Sequence, residues 1–189
     1  MHDNELENAR NILLLGDGNG RFSTHLLSKY PHVKLTSLDA SEAMLKQARK
    51  RRRKTQLHED RIFNIHQNIL KWDAPRAKFD AVVAQFFFDG FSSADISAIS
   101  QLIYKSLQPD GRLLVSEFHI PSDTRIGNWR ARFTIGFLYS VFGLLTGLKI
   151  RTLADHKTEL TANGFNMEEA VFLSQKTLVS QVFRKTSNS

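Results

Sequence analysis

Short apolar runs alternate with amphipathic stretches along most of this 189-residue chain. Residues 11–15 (NILLL) show no polar alternation, the pattern of a strand buried on both faces. A glycine turn, 16–20 (GDGNG), follows directly, and 21–30 places Phe22, Leu26 and Leu27 at helical spacing. Residues 33–38 predict a second strand ending at Asp39. Ser41 is then placed to cap a helix over 42–54 that turns Ala43, Met44, Leu45 and Ala48 inward. A weaker third strand falls at 61–65 and a fourth at 79–86 (FDAVVAQF). Next comes a helix over 92–107 with Ile96, Ile99, Ile103 and Leu107 on one face, broken at Pro109-Asp110-Gly111 before a fifth strand, 112–118. Strands and helices alternating at this spacing predict an open α/β domain, a parallel sheet with helices on both faces.

Beyond Pro121 the rhythm changes. A long apolar helix is predicted over about 129–148 and an amphipathic one over 153–163 that stops at Gly164. Two last strands, 166–173 and 177–184, are separated by too few residues for a helical crossover and predict an antiparallel hairpin. The expectation is one domain over 1–189, with a core at 11–121, a substrate-shaping helical region at 122–150 and a closing helix and hairpin at 151–186.

Composition sharpens this picture at three points. With 41% apolar and 24% charged residues the chain supports a real core, which excludes disordered and fibrous classes. The absence of cysteine removes disulfide scaffolds, thiolate zinc sites and cysteine nucleophiles. The net charge of +7 comes from one segment: residues 46–54 (KQARKRRRK) hold seven cations, and the other 180 residues hold 19 charges of each sign. A helix that starts at the ligand edge of the sheet carries residues 49–54 away from it, to end about 15 to 20 Å off at 1.5 Å per residue. There they complement the helix dipole, so nucleic acid is not the expected partner. Residues 1–10 are polar and show no leader pattern, and the longest uncharged stretch, 133–148, falls short of the ~20 residues a spanning helix needs. The expected location is cytoplasmic, with peripheral membrane contact through 129–148 as the remaining membrane role.

A glycine turn is informative when it follows a strand and opens a helix, because glycine permits the sharp turn while the helix N-terminus offers unpaired N–H groups. The spacing argues against a dinucleotide, since Phe22 stands where the third glycine of that fingerprint belongs. Asp39, at the end of the second strand, is placed to accept hydrogen bonds from ribose hydroxyls. The stretches ILLLGDGNGRF (12–22), SLDASEAML (37–45), KFDAVVAQFFFDGF (78–91) and LQPDGRLLVSEFHIP (107–121) together resemble the class I S-adenosylmethionine-dependent methyltransferases. The resemblance runs over about 11–184. It implies a Rossmann-like, mostly parallel seven-stranded sheet whose last strand is antiparallel.

It also implies a cofactor, S-adenosyl-L-methionine, with S-adenosyl-L-homocysteine as product. Gly16, Gly18 and Gly20 would cradle its methionine part, Asp39 its ribose, and Met44 its adenine. Asn68 would meet the adenine amino group, with Ile69 against the ring. Asp17, Ala40, Gln85 and Phe86 complete the expected cofactor set. Two departures from the resemblance stand out: Leu14 occupies a position that is usually acidic, and only ten residues precede the first strand, so the lid expected over the cofactor is either missing, supplied by another subunit, or formed by the 129–148 helix.

Methyl transfer asks an enzyme to position a nucleophile and, for a hydroxyl or carbon acid, to remove a proton. Asp89 and His119 stand at the ends of the fourth and fifth strands, where an open α/β sheet binds its ligand, and are the catalytic candidates. The histidines show no ligand spacing, so no metal is expected. Gln85-Phe86-Phe87-Phe88 replaces the Asn/Asp-Pro-Pro-Tyr/Phe sequence of amino-group methylases acting on DNA bases and glutamine. Phe86, Phe87, Phe88 and Phe91, with Phe133, Phe137, Tyr139 and Phe142 further on, favour a small hydrophobic acceptor, although core packing is the commoner fate of the second group. Two rivals remain: an RNA or protein methyltransferase using 46–54, and a non-catalytic cofactor-binding relative.

Overall fold

The computed structural model describes residues 3–55, 59–118, 156–173 and 178–186. Five strands run in parallel: β1 (Asn11–Leu15), β2 (Lys34–Asp39), β3 (Ile62–His66), β4 (Phe79–Gln85) and β5 (Leu107–Phe118). The hairpin strands β6 (Phe165–Leu173) and β7 (Leu178–Lys185) complete a seven-stranded sheet of order β3-β2-β1-β4-β5-β7-β6, with β7 antiparallel to both of its neighbours. This is the Rossmann-like architecture expected from the sequence. The order reverses between β1 and β4, so the ends of β1, β2, β4 and β5 surround the crevice where such sheets bind ligands.

Alternate residues of each strand feed two cores. On one face Ile12, Leu14, Leu35, Ala81 and Val83 meet Leu26 and Leu27 of α1 (Arg21–Lys29). On the other, Leu13, Leu15, Val82 and Val115 meet Ile96, Ile99 and Ile103 of α3 (Ser93–Ser106) and Leu160 of α4 (His156–Ala162). The helix α2 (Glu42–Lys54) packs beside α1 against β2 and β3. Ser41 caps it by accepting from the Met44 N–H, and Ser92 with Asp95 forms a capping box on α3.

The expected break at 109–111 is instead a bulge inside β5. Leu107 pairs with Phe79, the register shifts, and pairing resumes at Arg112 with Ala81, while Asp110 takes φ 60. Gly164, at φ 87, follows α4 as anticipated. Within α2 the buried face is Leu45, Ala48 and Arg52, whereas Ala43 is exposed, contrary to expectation. The expected helix over 129–148 lies outside the described residues, as does His119. Among the described residues no helix is long and apolar enough to cross a membrane.

Candidate active site

The turn after β1 is built on three left-handed glycines, Gly16 (φ 66), Gly18 (φ 59) and Gly20 (φ 77), a conformation costing other residues about 1–2 kcal/mol each. Gly20 also lies against α2, where a Cβ would come within 2.7 Å of Ala48. Among the described residues the space around Gly18 is open, with only the Gly16 carbonyl oxygen within reach of an added Cβ. Among the described residues the loop is therefore buttressed from below and open at its crest, a shape that suits a ligand resting on backbone.

Asp39 closes the other side. Its Oδ2 accepts from the Gly18 N–H at 3.3 Å and its Oδ1 from the Ser41 N–H at 2.8 Å, which ties the carboxylate to both the loop and the start of α2. Burial raises its pKa, while those two N–H groups and His66 oppose the rise. A carboxylate has about four lone-pair sites, so two hydroxyls can still be accepted. Ala40 is exposed, with its carbonyl 3.1 Å from His66 Nε2, and Met44 is half-buried. These residues fit the ribose end of the expected cofactor.

Two of the expected contacts, at Asp17 and Ile69, differ, and a third, at Asn68, involves an oxygen that already accepts one hydrogen bond. The Asp17 carboxylate turns inward: Oδ1 accepts from the Ser23 N–H at 3.1 Å and Oδ2 lies 3.9 Å from Arg52. Asn68 caps a short 3-10 turn, Ile69–Lys71, so the oxygen assigned to the adenine amino group accepts from the Leu70 N–H at 2.9 Å. The same turn sends Ile69 down into the core beside Leu15 and Leu38 and leaves Leu70 at the surface, which removes Ile69 as an open platform for a ring.

At the ends of β4 and β5 the polypeptide is strained and aromatic. Gln85 ends β4 opposite Ser116, and Phe86, 40% exposed, adopts φ 51 while donating its N–H to the Ser116 carbonyl at 2.7 Å. The Phe87 ring packs over Gly16, so that a Cβ there would lie 2.9 Å from the ring, and it tilts against Phe91 at 5.1 Å. Phe88 stacks on His156 of α4 at 5.8 Å.

Glu117, which the sequence pattern does not single out, holds this turn together. It is 1% exposed, and its Oε1 accepts from the N–H groups of Phe87 at 2.9 Å and Phe88 at 2.8 Å. Oε2 accepts from no N–H group among the described residues. Burial, followed by the adjacent Asp89 carboxyl, pushes Glu117 well above the ordinary carboxylate range, against the two N–H groups. Asp89 itself is 9% exposed. The direction of that shift favours the protonated form of Glu117. Among the described residues no cluster of three or more metal-ligating side chains occurs.

A family model described as a methyltransferase domain matches residues 12–111. The chain is 35% identical over 81 residues to a malonyl-[acyl-carrier protein] O-methyltransferase of Paenibacillus sp. strain JDR-2, covering 43% of this chain and 29% of that protein. It is 31% identical over 135 residues to a demethylmenaquinone methyltransferase of Thermotoga maritima, covering 71% and 52%. The chain thus spans about half the length, or less, of the curated relatives it matches. Among solved structures, the S-adenosylmethionine-dependent methyltransferase SibL in its apo form superposes with a TM-score of 0.74 at 20% identity, covering 97% of this chain and 52% of that one, a likeness that speaks for the fold. With a family match over more than half of its length, falling on the strands and loop that build this crevice, the chain belongs to the class I S-adenosylmethionine-dependent methyltransferase family.

Proposed function

We propose that the chain transfers a methyl group from S-adenosyl-L-methionine to a small, hydrophobic acceptor bound against the Phe86–Phe88 turn. The observation that carries this reading is the contact of Phe87 with Gly16, which makes an aromatic wall continuous with the cofactor loop. The bound cofactor would supply an electrophilic methyl on a sulfonium sulfur. Gly18 and Asp39 would hold it, and Phe86 and Phe87 would exclude water from the approaching acceptor. The Asp89–Glu117 pair would accept the proton that the acceptor gives up on methylation, directly or through a water.

Labelled cofactor supplied with a panel of apolar phenols and quinols tests the reading. Product labelling that disappears in Asp89→Asn supports it, and labelling confined to polyanionic acceptors contradicts it. A second reading, a protein-borne acceptor, draws on the ridge of Lys46, Arg49, Lys50, Arg53 and Lys54 on the exposed face of α2, and on the acyl-carrier-protein substrate in the names of two relatives. It predicts turnover that falls steeply with salt, because the attraction across such a ridge is screened within about 8–10 Å at physiological ionic strength.

A further inference from the structure

Arg52 lies in the middle of the most basic segment of the chain yet is fully buried. Its guanidinium donates to Ser23 Oγ on α1 at 3.2 Å and to Asn64 Oδ1 on β3 at 3.1 Å, and it stands 3.9 Å from Asp17 Oδ2 and 4.0 Å from Glu59 Oε1. Asp17 Oδ2 makes no hydrogen bond of its own among the described residues, so Arg52 is the cation that compensates it. Two further contacts from the same face of α2 reach the same loop. Arg51 Nε donates to the Asn19 carbonyl at 3.0 Å, and Ala48 lies directly under Gly20. Residues 48, 51 and 52 are spaced i, i+3 and i+4, so one helical face touches Asp17, Asn19 and Gly20 in turn.

We infer that Arg52 is a positioning residue for the cofactor loop, acting through Asp17 to set the height of the Gly16–Gly20 turn beneath the ligand. The inference rests on the cofactor reading above. A guanidinium is needed because only a planar, multiply donating cation reaches α1, β3 and the loop at once. Burying it is costly, and the cost is offset while its partners are in place. Removing the cation leaves the buried Asp17 carboxylate with its Ser23 hydrogen bond but no opposite charge, which drives the loop to open toward water. Removing Asp17 as well takes away the reason to open.

The test is a double-mutant cycle read by calorimetric titration of S-adenosyl-L-homocysteine into the intact protein, using Arg52→Met, Asp17→Asn and the two combined. Arg52→Met should weaken binding about tenfold or more, and adding Asp17→Asn should recover most of that loss, a coupling of about tenfold. The Michaelis constant for the cofactor should rise while that for the acceptor stays. Additive effects, with coupling under about twofold, overturn the inference and leave Arg52 a fold-stabilising residue. Should Arg52→Met fail to fold, Arg52→Lys, which keeps the charge but loses the fork of donors, takes its place in the same cycle. Coupling of that change to Asp17→Asn supports the inference, and independence of the two overturns it. Failure of the unmutated protein to bind at all would instead sink the cofactor reading.

Discussion

Each half of the crevice is built on buried carboxyl groups, but their surroundings differ in kind. On the cofactor half, burial raises both Asp17 and Asp39, and each is met by groups that favour the anion: Ser23 and Arg52 for one, the Gly18 and Ser41 N–H groups and His66 for the other. On the acceptor half, Glu117 has two N–H donors but faces a second carboxyl, Asp89, which adds to the upward push of burial. The first environment suits carboxylates that accept hydrogen bonds from a ligand; the second suits a group that holds and exchanges a proton. On the function proposed above, ligand binding falls to Asp39 and proton transfer to Asp89 and Glu117.

The largest effect expected is at the acceptor half. Asp89→Asn should lower kcat about 10²- to 10⁴-fold, the range for loss of a general base, while affinity for S-adenosyl-L-homocysteine holds steady. A parallel loss of that affinity would merge the two halves. Asp39→Ala should produce the mirror image, costing about 1.5–3 kcal/mol of cofactor binding as charge-assisted hydrogen bonds are lost, measured as KM for the cofactor. Gly16→Ala joins the halves. It strains φ 66 and presses on Phe87, so both Michaelis constants should rise, whereas Gly18→Ala, with open space around it, should move only that of the cofactor.

The smallest effect is a pH dependence of stability. Because Glu117 titrates above its unfolded value, its protonated form stabilises the fold at low pH, and that contribution is lost as pH rises through the folded value. Glu117→Gln stays neutral and can keep the oxygen that accepts from Phe87 and Phe88. Denaturant titrations should therefore show it gaining on the unmutated protein as pH rises from about 5 to about 8, above the unfolded carboxyl range. A constant difference would contradict a raised Glu117.

What is legible in the sequence follows from how local each feature is. The glycine turn and Asp39 can be read because strand, turn and helix are contiguous and the left-handed positions demand glycine. Asn68 and Ile69 lie in the right loop, but a single 3-10 turn decides which side chain faces out, and short turns of that kind leave no periodic pattern. Glu117 is hidden because its partners lie about thirty residues earlier in the chain, and a carboxyl within an apolar strand reads as a solvent-facing position until the sheet is assembled. Arg52 carries a usable signal, since it falls on the buried stripe after Leu45 and Ala48, but the surrounding run of cations masks it. The expectation that this run lies wholly at the far edge is corrected at Arg51 and Arg52, which reach back to the glycine loop. Lys46, Arg49, Lys50, Arg53 and Lys54 stay exposed as solvated charge.

The division between the two halves meets its most direct test in side-by-side calorimetric titration of S-adenosyl-L-homocysteine into the unmutated protein, Asp39→Ala and Asp89→Asn. The account predicts binding by the first, a loss of about tenfold or more in the second, and unmutated affinity in the third. No binding by the unmutated protein, or equal losses in both variants, would contradict it.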